Sequence, residues 1–186
     1  MHFLEFFLRT QMKKIKTLKS SENVHTIVKR RSGGNASASD SYSVDDSPLG
    51  YLTNSVGKTG TGKGTGSTIY WDVTSTKGGK NVNGKRKRPK FIGLLHEVFH
   101  SYQMDKGEMR RNKTSGAKQS EREAVHFENQ MRAQLGKVFF IKKIPLRKWY
   151  DNIDVLRQDF DYKNNRIFPK IIIPPSVPRW EMPKGI

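Results

Sequence analysis

The clearest pattern in the chain is an apolar stripe at helical spacing between residues 90 and 104. Proline is common at the start of a helix and glycine just past its end, so Pro89 and Gly107 bound this predicted helix. Its apolar residues recur every three or four positions and form one face, at Phe91, Leu94, Leu95, Val98, Phe99 and Tyr102. A second helix, from about residue 120 to 135 and stopped by Gly136, is predicted by the stripe of Ala124, Phe127, Met131 and Leu135.

A different pattern marks the best strand. Residues 67–73 (STIYWDV) are β-branched and aromatic, which favours an extended conformation, and the glycine-rich segment 57–66 leads into them. Val24, Ile27 and Val28 begin a second candidate strand. Two helices and a small sheet, which we expect to be antiparallel, predict the α+β fold class.

The remaining segments are mostly polar, basic or proline-rich. Residues 32–48 are rich in Ser, Gly and Asp, residues 77–90 form a basic loop, and the end from residue 169 is rich in proline. A hydrophobic fraction of 34% fits one modest core flanked by partly unstructured tails. We therefore expect a basic N-terminal segment, one domain and a proline-rich C-terminal tail, at residues 1–23, 24–150 and 151–186.

Composition narrows the chemistry. The chain has no cysteine, so disulfides and thiolate-bound metals are excluded, and any metal must be held by His, Asp or Glu. The net charge of +18 indicates either an acidic partner or simply solvated basic segments. No stretch is long enough to span a membrane, and the start of the chain lacks the order of a signal peptide. The unusual amino terminus suggests a module of a larger protein.

The first helix carries a complete metal motif, H-E-x-x-H, formed by His96, Glu97 and His100. At about 100° per residue, positions i and i+4 lie on one helix face, so both imidazoles can bind one tetrahedral zinc ion. Glu97 is turned about a quarter turn away, which suits it to take a proton from water rather than to bind the ion.

The alternative is that these three are ordinary helix residues. A five-residue match of this kind arises by chance in roughly one chain per hundred of this size. The two histidines lie roughly 130–170° from the middle of the apolar stripe, so they are not core histidines. The position of the pair favours a catalytic zinc, one ion per chain.

A catalytic zinc usually has three protein ligands and a water, and the second helix offers the third. Glu123 forms a capping box with Ser120, S-x-x-E, which gives it a structural role. His126 lies opposite the apolar stripe and should face solvent, and Glu128 is better placed to support a ligand than to be one. Glu121 is our preferred ligand, although an acid in a first helical turn also stabilises the helix dipole.

The motifs together resemble the NleD-like effector metallopeptidases of bacteria, over about residues 57–150. That family has H-E-x-x-H followed by A-Y, E-x-x-A-V-G, E-N-x-x-R-x-x-L-G and R-x-x-Y. The E-N-x-x-R-x-x-L-G block is the most specific of these motifs, and it is matched here by Glu128, Asn129, Arg132, Leu135 and Gly136. Two positions depart from the family: Ser101 replaces alanine and His126 replaces glycine.

The resemblance implies a small zincin-like zinc endopeptidase, secreted or injected as an effector or as the toxic end of a larger protein. Its E-x-x-A-V match assigns the third-ligand position to Glu121, and a looser likeness to the ImmA/IrrE-type peptidases points to the same residue. Its R-x-x-Y match makes Tyr150 a candidate donor to the oxyanion, beside Arg132, while Tyr102 could equally be a core residue. We also expect strand 67–73 to pair with an extended protein or peptide substrate.

Three rival functions are weaker. A nucleic-acid-binding protein without protease activity would use residues 85–88 (KRKR), but no base-reading motif accompanies them. The sequence from Gly57 to Lys63 nearly forms a phosphate-binding P-loop, but Gly64 replaces the required Ser or Thr and a strand is predicted where a helix is needed. A metal-bearing but inactive scaffold is disfavoured by the presence of Glu97.

Overall fold

A computed structural model describes residues 12–39, 64–109, 113–114, 117–138, 144–163 and 166–167. The described part of α1 covers residues 12–19, and the two long helices are α2 (Lys90–Asp105) and α3 (Gln119–Val138). The main sheet consists of β1 (His25–Arg30), β2 (Ala36–Ser39) and β3 (Ser67–Asp72). Three two-stranded hairpins complete the fold: β4–β5 (Lys113–Thr114, Ala117–Lys118), β6–β7 (Trp149–Tyr150, Ile153–Asp154) and β8–β9 (Phe160–Asp161, Arg166–Ile167).

The predicted α+β class and both long helices are confirmed. Helix α3 continues past Gly136 to Val138. The residues beyond 39 in the predicted polar loop, residues 57–63 of the glycine-rich segment and the proline-rich tail from 168 lie outside the described residues. The three domain boundaries therefore stay a prediction. Within the described part of the chain, no helix is both long and apolar enough to cross a membrane.

The main sheet is mixed rather than wholly antiparallel. Its strand order is β1-β3-β2, with β1 parallel and β2 antiparallel to β3. The chain reverses between β1 and β2 at Gly33 and Gly34, whose φ angles of 87° and 72° suit glycine. Strand β3 then enters between the two arms of that reversal, which explains why one of its neighbours is parallel and the other antiparallel.

The central position of β3 overturns the expectation that this strand pairs with a substrate. Both of its edges are hydrogen-bonded, to β1 and to β2, so no edge is free for a third partner. Among the described residues β2 pairs only with β3, and residues 35–37 line the cleft described below. The edge of the sheet nearest the cleft therefore belongs to β2. A strand, not a helix, also follows Gly64, which removes the P-loop alternative.

The core lies where α2 crosses α3. The predicted stripes meet there, with the Phe99 and Phe127 rings stacked at 5.0 Å between centroids. The cluster of buried side chains consists of Ile92, Phe99, Ala124, Phe127 and Met131, with Leu95 and Leu135 packed against it. Phe91 was predicted in the stripe but is exposed, and its neighbour Ile92, one 100° step round the helix, takes the buried position instead. The opposite face of α2 contacts β2 and β3.

The sequence predicted that His126 faces solvent, but the residue is half-buried. Its Nδ1 lies 2.9 Å from the Tyr162 hydroxyl, and the ring of Phe160 meets its imidazole edge-on at 4.6 Å. The chain after β7 returns across this face of α3 and covers it. Burial, with a smaller contribution from Arg157, lowers the pKa of His126 to about 4.

A buried carboxylate fastens the sheet to the end of α2. Asp105, the last residue of α2, accepts hydrogen bonds from the Ser21 hydroxyl, from Asn23 Nδ2 at 3.0 Å and from His25 Nε2 at 3.2 Å. His25 Nδ1 is in turn 2.9 Å from Ser67 Oγ on β3. Burial raises the pKa of Asp105, but these hydrogen bonds outweigh burial and hold that pKa well below its usual range. Ser67 is fully buried, so no substrate can reach its hydroxyl. The hydrogen-bonded set of Ser67, His25 and Asp105 is therefore structural rather than catalytic.

We expect Asp105→Asn to destabilise the fold by about 1–3 kcal/mol at pH 7, since an ionised acceptor of three hydrogen bonds is lost. Because the folded-state pKa of Asp105 is lowered, its contribution is complete above the unfolded value of about 4 and fades as the pH falls below it. Urea unfolding of wild type and variant at several pH values measures this difference. Asp159→Asn, in an exposed pair with Arg157, is the control and should change little. Equal stability of wild type and D105N at pH 7 would contradict the prediction.

Candidate metal centre

Two helices bring three metal-ligand side chains together. His96 and His100 lie one turn apart on α2, and Glu121 lies in the first turn of α3. Glu121 Oε2 is 3.3 Å from His96 Nε2, and its Oε1 is 3.4 Å from His100 Nε2. The three ligand atoms lie within 4.8 Å of one another. Two imidazoles and one carboxylate form a donor set that zinc accepts in catalytic sites.

The packing of α3 on α2 explains why Glu121 reaches the histidines. Residues three, four and seven positions apart share a helix face. Glu121 is followed at these spacings by Ala124 and Glu128, which are fully buried. This row of α3 faces the H-E-x-x-H segment of α2, with Phe127 filling the core beside it. Glu123 is rotated away from this row and does not join the ligand set.

The second nitrogen of His96 is held by a buried carboxylate. Glu128 is fully buried, and its Oε2 lies 3.1 Å from His96 Nδ1. When the imidazole is neutral, as a metal ligand must be, a proton on Nδ1 that is donated to Glu128 leaves the Nε2 lone pair directed to the ligand position beside Glu121. The support role that the sequence suggested for Glu128 therefore agrees with its placement.

Three arginines compensate the charge of Glu128. Its Oε1 accepts from Arg132 Nη2 at 2.6 Å and from Arg132 Nε at 3.0 Å. Its Oε2 lies 3.2 Å from Arg147 Nη1 and 3.6 Å from Arg88 Nη1. Burial raises the pKa of Glu128, but His96 and the arginines hold it well below its usual range. Arg132 is therefore fully engaged behind the site, which excludes the role of oxyanion donor considered from the sequence.

Asn129 and Arg132, next to Glu128 on α3, hold in place the segment 145–147, which comes after the helix and leads to the cleft. Asn129 binds the backbone of Arg147 twice, donating to its carbonyl at 2.8 Å and accepting from its N–H at 2.7 Å. Arg132 Nη1 donates to the Pro145 carbonyl at 2.7 Å. The E-N-x-x-R block thus has a physical role, because its three polar residues position both His96 and the chain that leads to Tyr150.

His100 has its own support, which sequence reasoning missed. Its Nδ1 lies 3.0 Å from Gln103 Oε1, and Gln103 Nε2 donates to Glu123 Oε2 at 2.7 Å. The other oxygen of Glu123 accepts from Gln119 at 2.9 Å. Because Gln103 Oε1 is an acceptor, His100 must carry its proton on Nδ1, and Nε2 again faces the ligand position. The sequence signal that could have indicated this contact was spacing, because Gln103 lies three residues after His100 and therefore on the same helix face.

The electrostatics of the site attract positive charge. Burial lowers the pKa of His96, but hydrogen bonds to Glu121 and Glu128 raise it to about 9. Burial raises the pKa of Glu121, but the two histidines hold it below its ordinary range. An ionised carboxylate thus lies between two imidazoles with supported Nδ1 atoms. The residues present fit a divalent zinc ion.

The site opens into a cleft of about 500 Å³. Glu97, which is 8% exposed, lines this cleft beside both histidines, and Tyr150 lines it from the β6–β7 hairpin. Burial and the charge of Glu121 raise the pKa of Tyr150, so its phenol is protonated at neutral pH. The Arg147 guanidinium lies 5.3 Å from the centre of the Tyr150 ring. Asp151, with φ 51°, makes the tight turn that holds Tyr150 there.

A larger depression of about 830 Å³ lies on another side of α3. It is bordered by Lys14, Phe99 and Tyr102 and by the partly covered His126, and it contains none of the three candidate ligands. Lys14 Nζ lies 4.2 Å from the centre of the Tyr102 ring. Tyr102 is therefore separate from the metal cleft, and among the described residues Tyr150 is the tyrosine that lines it.

Comparison with known proteins identifies a matching family model. A model of the M91 peptidase family, with the description "effector protein", matches residues 6–137, more than half of the chain. No curated protein and no solved structure matches. The family match confirms the resemblance to NleD-like effector peptidases that the sequence motifs indicated.

We expect Glu128→Gln to cost about 3–5 kcal/mol of folding stability, because it leaves buried arginines without their counter-charge. Urea unfolding at neutral pH measures the loss. Glu22→Gln, at an exposed position, is the matched control and should stay within about 0.5 kcal/mol of wild type. A Glu128 variant as stable as wild type would show that the arginines do not depend on this carboxylate.

Proposed function

Because the chain belongs to the M91 peptidase family of effector proteins, we propose that it is a zinc-dependent endopeptidase with one zinc ion per chain. The observation that carries this proposal is the convergence of His96, His100 and Glu121, with ligand atoms within 4.8 Å, in a cleft that also contains Glu97. The family supports a protein substrate, and we propose delivery into a host cell as the route to it.

His96, His100 and Glu121 would hold the ion. When bound, zinc supplies a Lewis acid that lowers the pKa of a water ligand and polarises the scissile carbonyl. Glu128 and Gln103 orient the two imidazoles, so their Nε2 atoms stay directed at one point.

Glu97 is the proposed general base. It follows His96 directly on α2, and the 100° step between neighbours turns its carboxylate away from the ligand set and along the cleft wall. From there it takes a proton from the attacking water and delivers it to the leaving amine. Its low exposure limits competition from bulk water.

Tyr150 is the proposed donor to the oxyanion. Its phenol keeps its proton at neutral pH, and the β6–β7 hairpin and Arg147 hold its ring at the cleft. A fixed neutral donor that meets developing negative charge stabilises the transition state more than the ground state.

The edge of β2 is the proposed support for the substrate backbone. Asn35, Ala36 and Ser37 line the cleft, and in the described structure β2 pairs on one side only. An extended peptide that adds to this edge gains main-chain hydrogen bonds without any requirement on its side chains. The scissile bond would then lie between β2 and the H-E-x-x-H helix.

We expect Glu97→Gln to keep one zinc per chain and to lose about 10²–10⁴-fold in turnover, because the base is lost and the ligands are not. Elemental analysis and a chelator-sensitive peptide-cleavage assay measure the two properties. His96→Ala is the companion variant and should lose both zinc and activity. Full activity of the Glu97 variant would remove it from the mechanism, and full zinc retention in H96A would remove the proposed site.

We expect Tyr150→Phe to lower kcat by about 10²-fold or more while leaving zinc content unchanged, because a transition-state donor is removed. Steady-state kinetics separate this effect on kcat from one on KM. Tyr102→Phe removes the same hydroxyl from the other depression and should be indistinguishable from wild type. A change in KM alone at Tyr150 would assign it to substrate binding instead.

A further inference from the structure

One wall of the metal cleft is a basic loop, defined here as residues 76–88. Lys77 and Lys87 form an antiparallel bridge, and the Gly78 N–H donates to the Arg86 carbonyl at 2.9 Å. The loop therefore doubles back on itself with backbone pairing. Its side chains are presented from a fixed frame.

Gly79 brings this loop against the rest of the cleft, and Gly78 packs on Arg88 within the loop. A Cβ on Gly79 would lie 2.2 Å from the Trp149 carbonyl oxygen and 2.3 Å from Arg147 Nε. A Cβ on Gly78 would lie 2.8 Å from Arg88 Cδ. Only glycine permits this approach, so the wall is closely packed onto the segment that carries Tyr150.

Four cationic residues line the same cleft: Lys77, Arg86, Arg88 and Arg147. Arg88 and Arg147 lie within ion-pair distance of Glu128, which partly compensates them. Lys77 and Arg86 are exposed, and no carboxylate among the described residues forms an ion pair with either. These two charges are therefore available to a ligand.

Arg86 and Lys77 both line the cleft, whereas their neighbours Lys85 and Lys87 do not. Arg86 lies two residues before Arg88, whose guanidinium approaches Glu128 beside His96. Lys85 and Lys87 therefore provide a control pair of equal charge on the same loop.

Lys77 and Arg86 lie in a cleft whose other two cationic residues are already partly compensated by Glu128. Two donors nearby, Arg88 Nε and Asn35 Nδ2, lack a hydrogen-bond partner in the described structure, but both atoms are buried and do not open to the cleft. Lys77 and Arg86 are therefore the groups that favour an anionic ligand.

We propose that the cleft binds an anionic side chain of the substrate, a carboxylate or a phosphate ester, close to the scissile bond, with Arg86 and Lys77 as the specificity-determining residues. This inference rests on the proposed peptidase function and names its substrate class, acidic or phosphorylated peptides. The guanidinium of Arg86 provides a planar fork that matches both anions, and Lys77 adds a point charge.

The first test is digestion of a peptide library by the zinc-loaded protein. The library contains Asp, Glu, phosphoserine and neutral residues at each position around the cut. Wild type should cut acidic or phosphorylated sequences at least about tenfold faster than neutral ones, and the relative rates of the two arms identify the anion. The double variant Lys77→Gln/Arg86→Gln should lose this ratio, while the matched double variant Lys85→Gln/Lys87→Gln, with the same change in charge, should keep it.

The second test measures binding without turnover. Fluorescence anisotropy with Glu97→Gln protein compares a labelled peptide that carries glutamate or phosphoserine with its neutral counterpart. Tighter binding of the anionic peptide, lost in the Lys77/Arg86 background and retained in the Lys85/Lys87 background, supports the subsite even if no library peptide is cut.

The outcomes separate the two proposals. Zinc-dependent cleavage with no acidic preference, or with a preference that survives loss of Lys77 and Arg86, overturns the subsite and leaves the peptidase intact. Absence of chelator-sensitive cleavage, with selective peptide binding, overturns the peptidase. Binding of a labelled oligonucleotide at Arg86 and Lys77, with no selective binding of the anionic peptide, overturns the subsite in favour of a nucleic acid.

Discussion

The buried carboxylate of Glu128 is the interaction on which the site depends. It contacts His96 on α2, Arg88 from the basic loop, Arg147 before the β6–β7 hairpin and Arg132 on its own helix. Each of these elements contributes a wall of the cleft. A single ionised group therefore joins the histidine that would bind zinc to the segments that would bind substrate.

Such an arrangement is not the most stable way to fill an interior. A buried ion pair loses hydration that its mutual attraction only partly restores, and apolar residues of similar volume often stabilise as well. The charged cluster instead fixes the orientation of the side chains that it joins. Glu128 accepts at His96 Nδ1 with one oxygen while Arg132 holds the other, which fixes the orientation of both partners. The apolar core between α2 and α3 is small, so this orientation cannot come from apolar packing alone.

The features that were predictable from the sequence are those that depend on helical periodicity or on a local motif. The apolar stripes of α2 and α3 meet in the core, and the spacing of His96 and His100 indicated a shared face. Glu121 was preferred from its place in α3 and from the family motif, and its carboxylate lies against both imidazoles. These inferences needed only helical periodicity and a motif whose chemistry is local.

The features that were not predictable depend on how distant segments meet. The strand order β1-β3-β2 places the best strand of the sequence in the centre, which no local pattern reveals. His126 appeared solvent-facing because helical periodicity says nothing of the later segment that covers it, including Phe160 and Tyr162. Gln103 was missed because a glutamine near a motif can lie in several environments, and the sequence does not show that its amide oxygen faces His100. Arg132 was considered as a donor because sequence does not show that Glu128 engages it.

The distribution of charge matters more than its sum. Among the described residues, six acids are buried or line the cleft: Asp72, Glu97, Asp105, Glu121, Glu128 and Asp151. Among the described residues, exposed lysines and arginines outnumber exposed acids, and the buried arginines Arg88, Arg132 and Arg147 nearly match the buried acids in number. The excess of positive charge in this part of the chain therefore lies on the surface that an approaching molecule meets, and the whole chain carries 35 lysines and arginines against 17 acids. A field of this kind draws anionic molecules toward the whole protein, and it weakens as ionic strength rises. Under the proposed function, selection would then occur inside the cleft, where Arg86 and Lys77 lie beside the ligand-bearing helix. The general attraction would increase the rate of encounter, and the basic loop would decide which encounters bring a peptide bond to His96, His100 and Glu121.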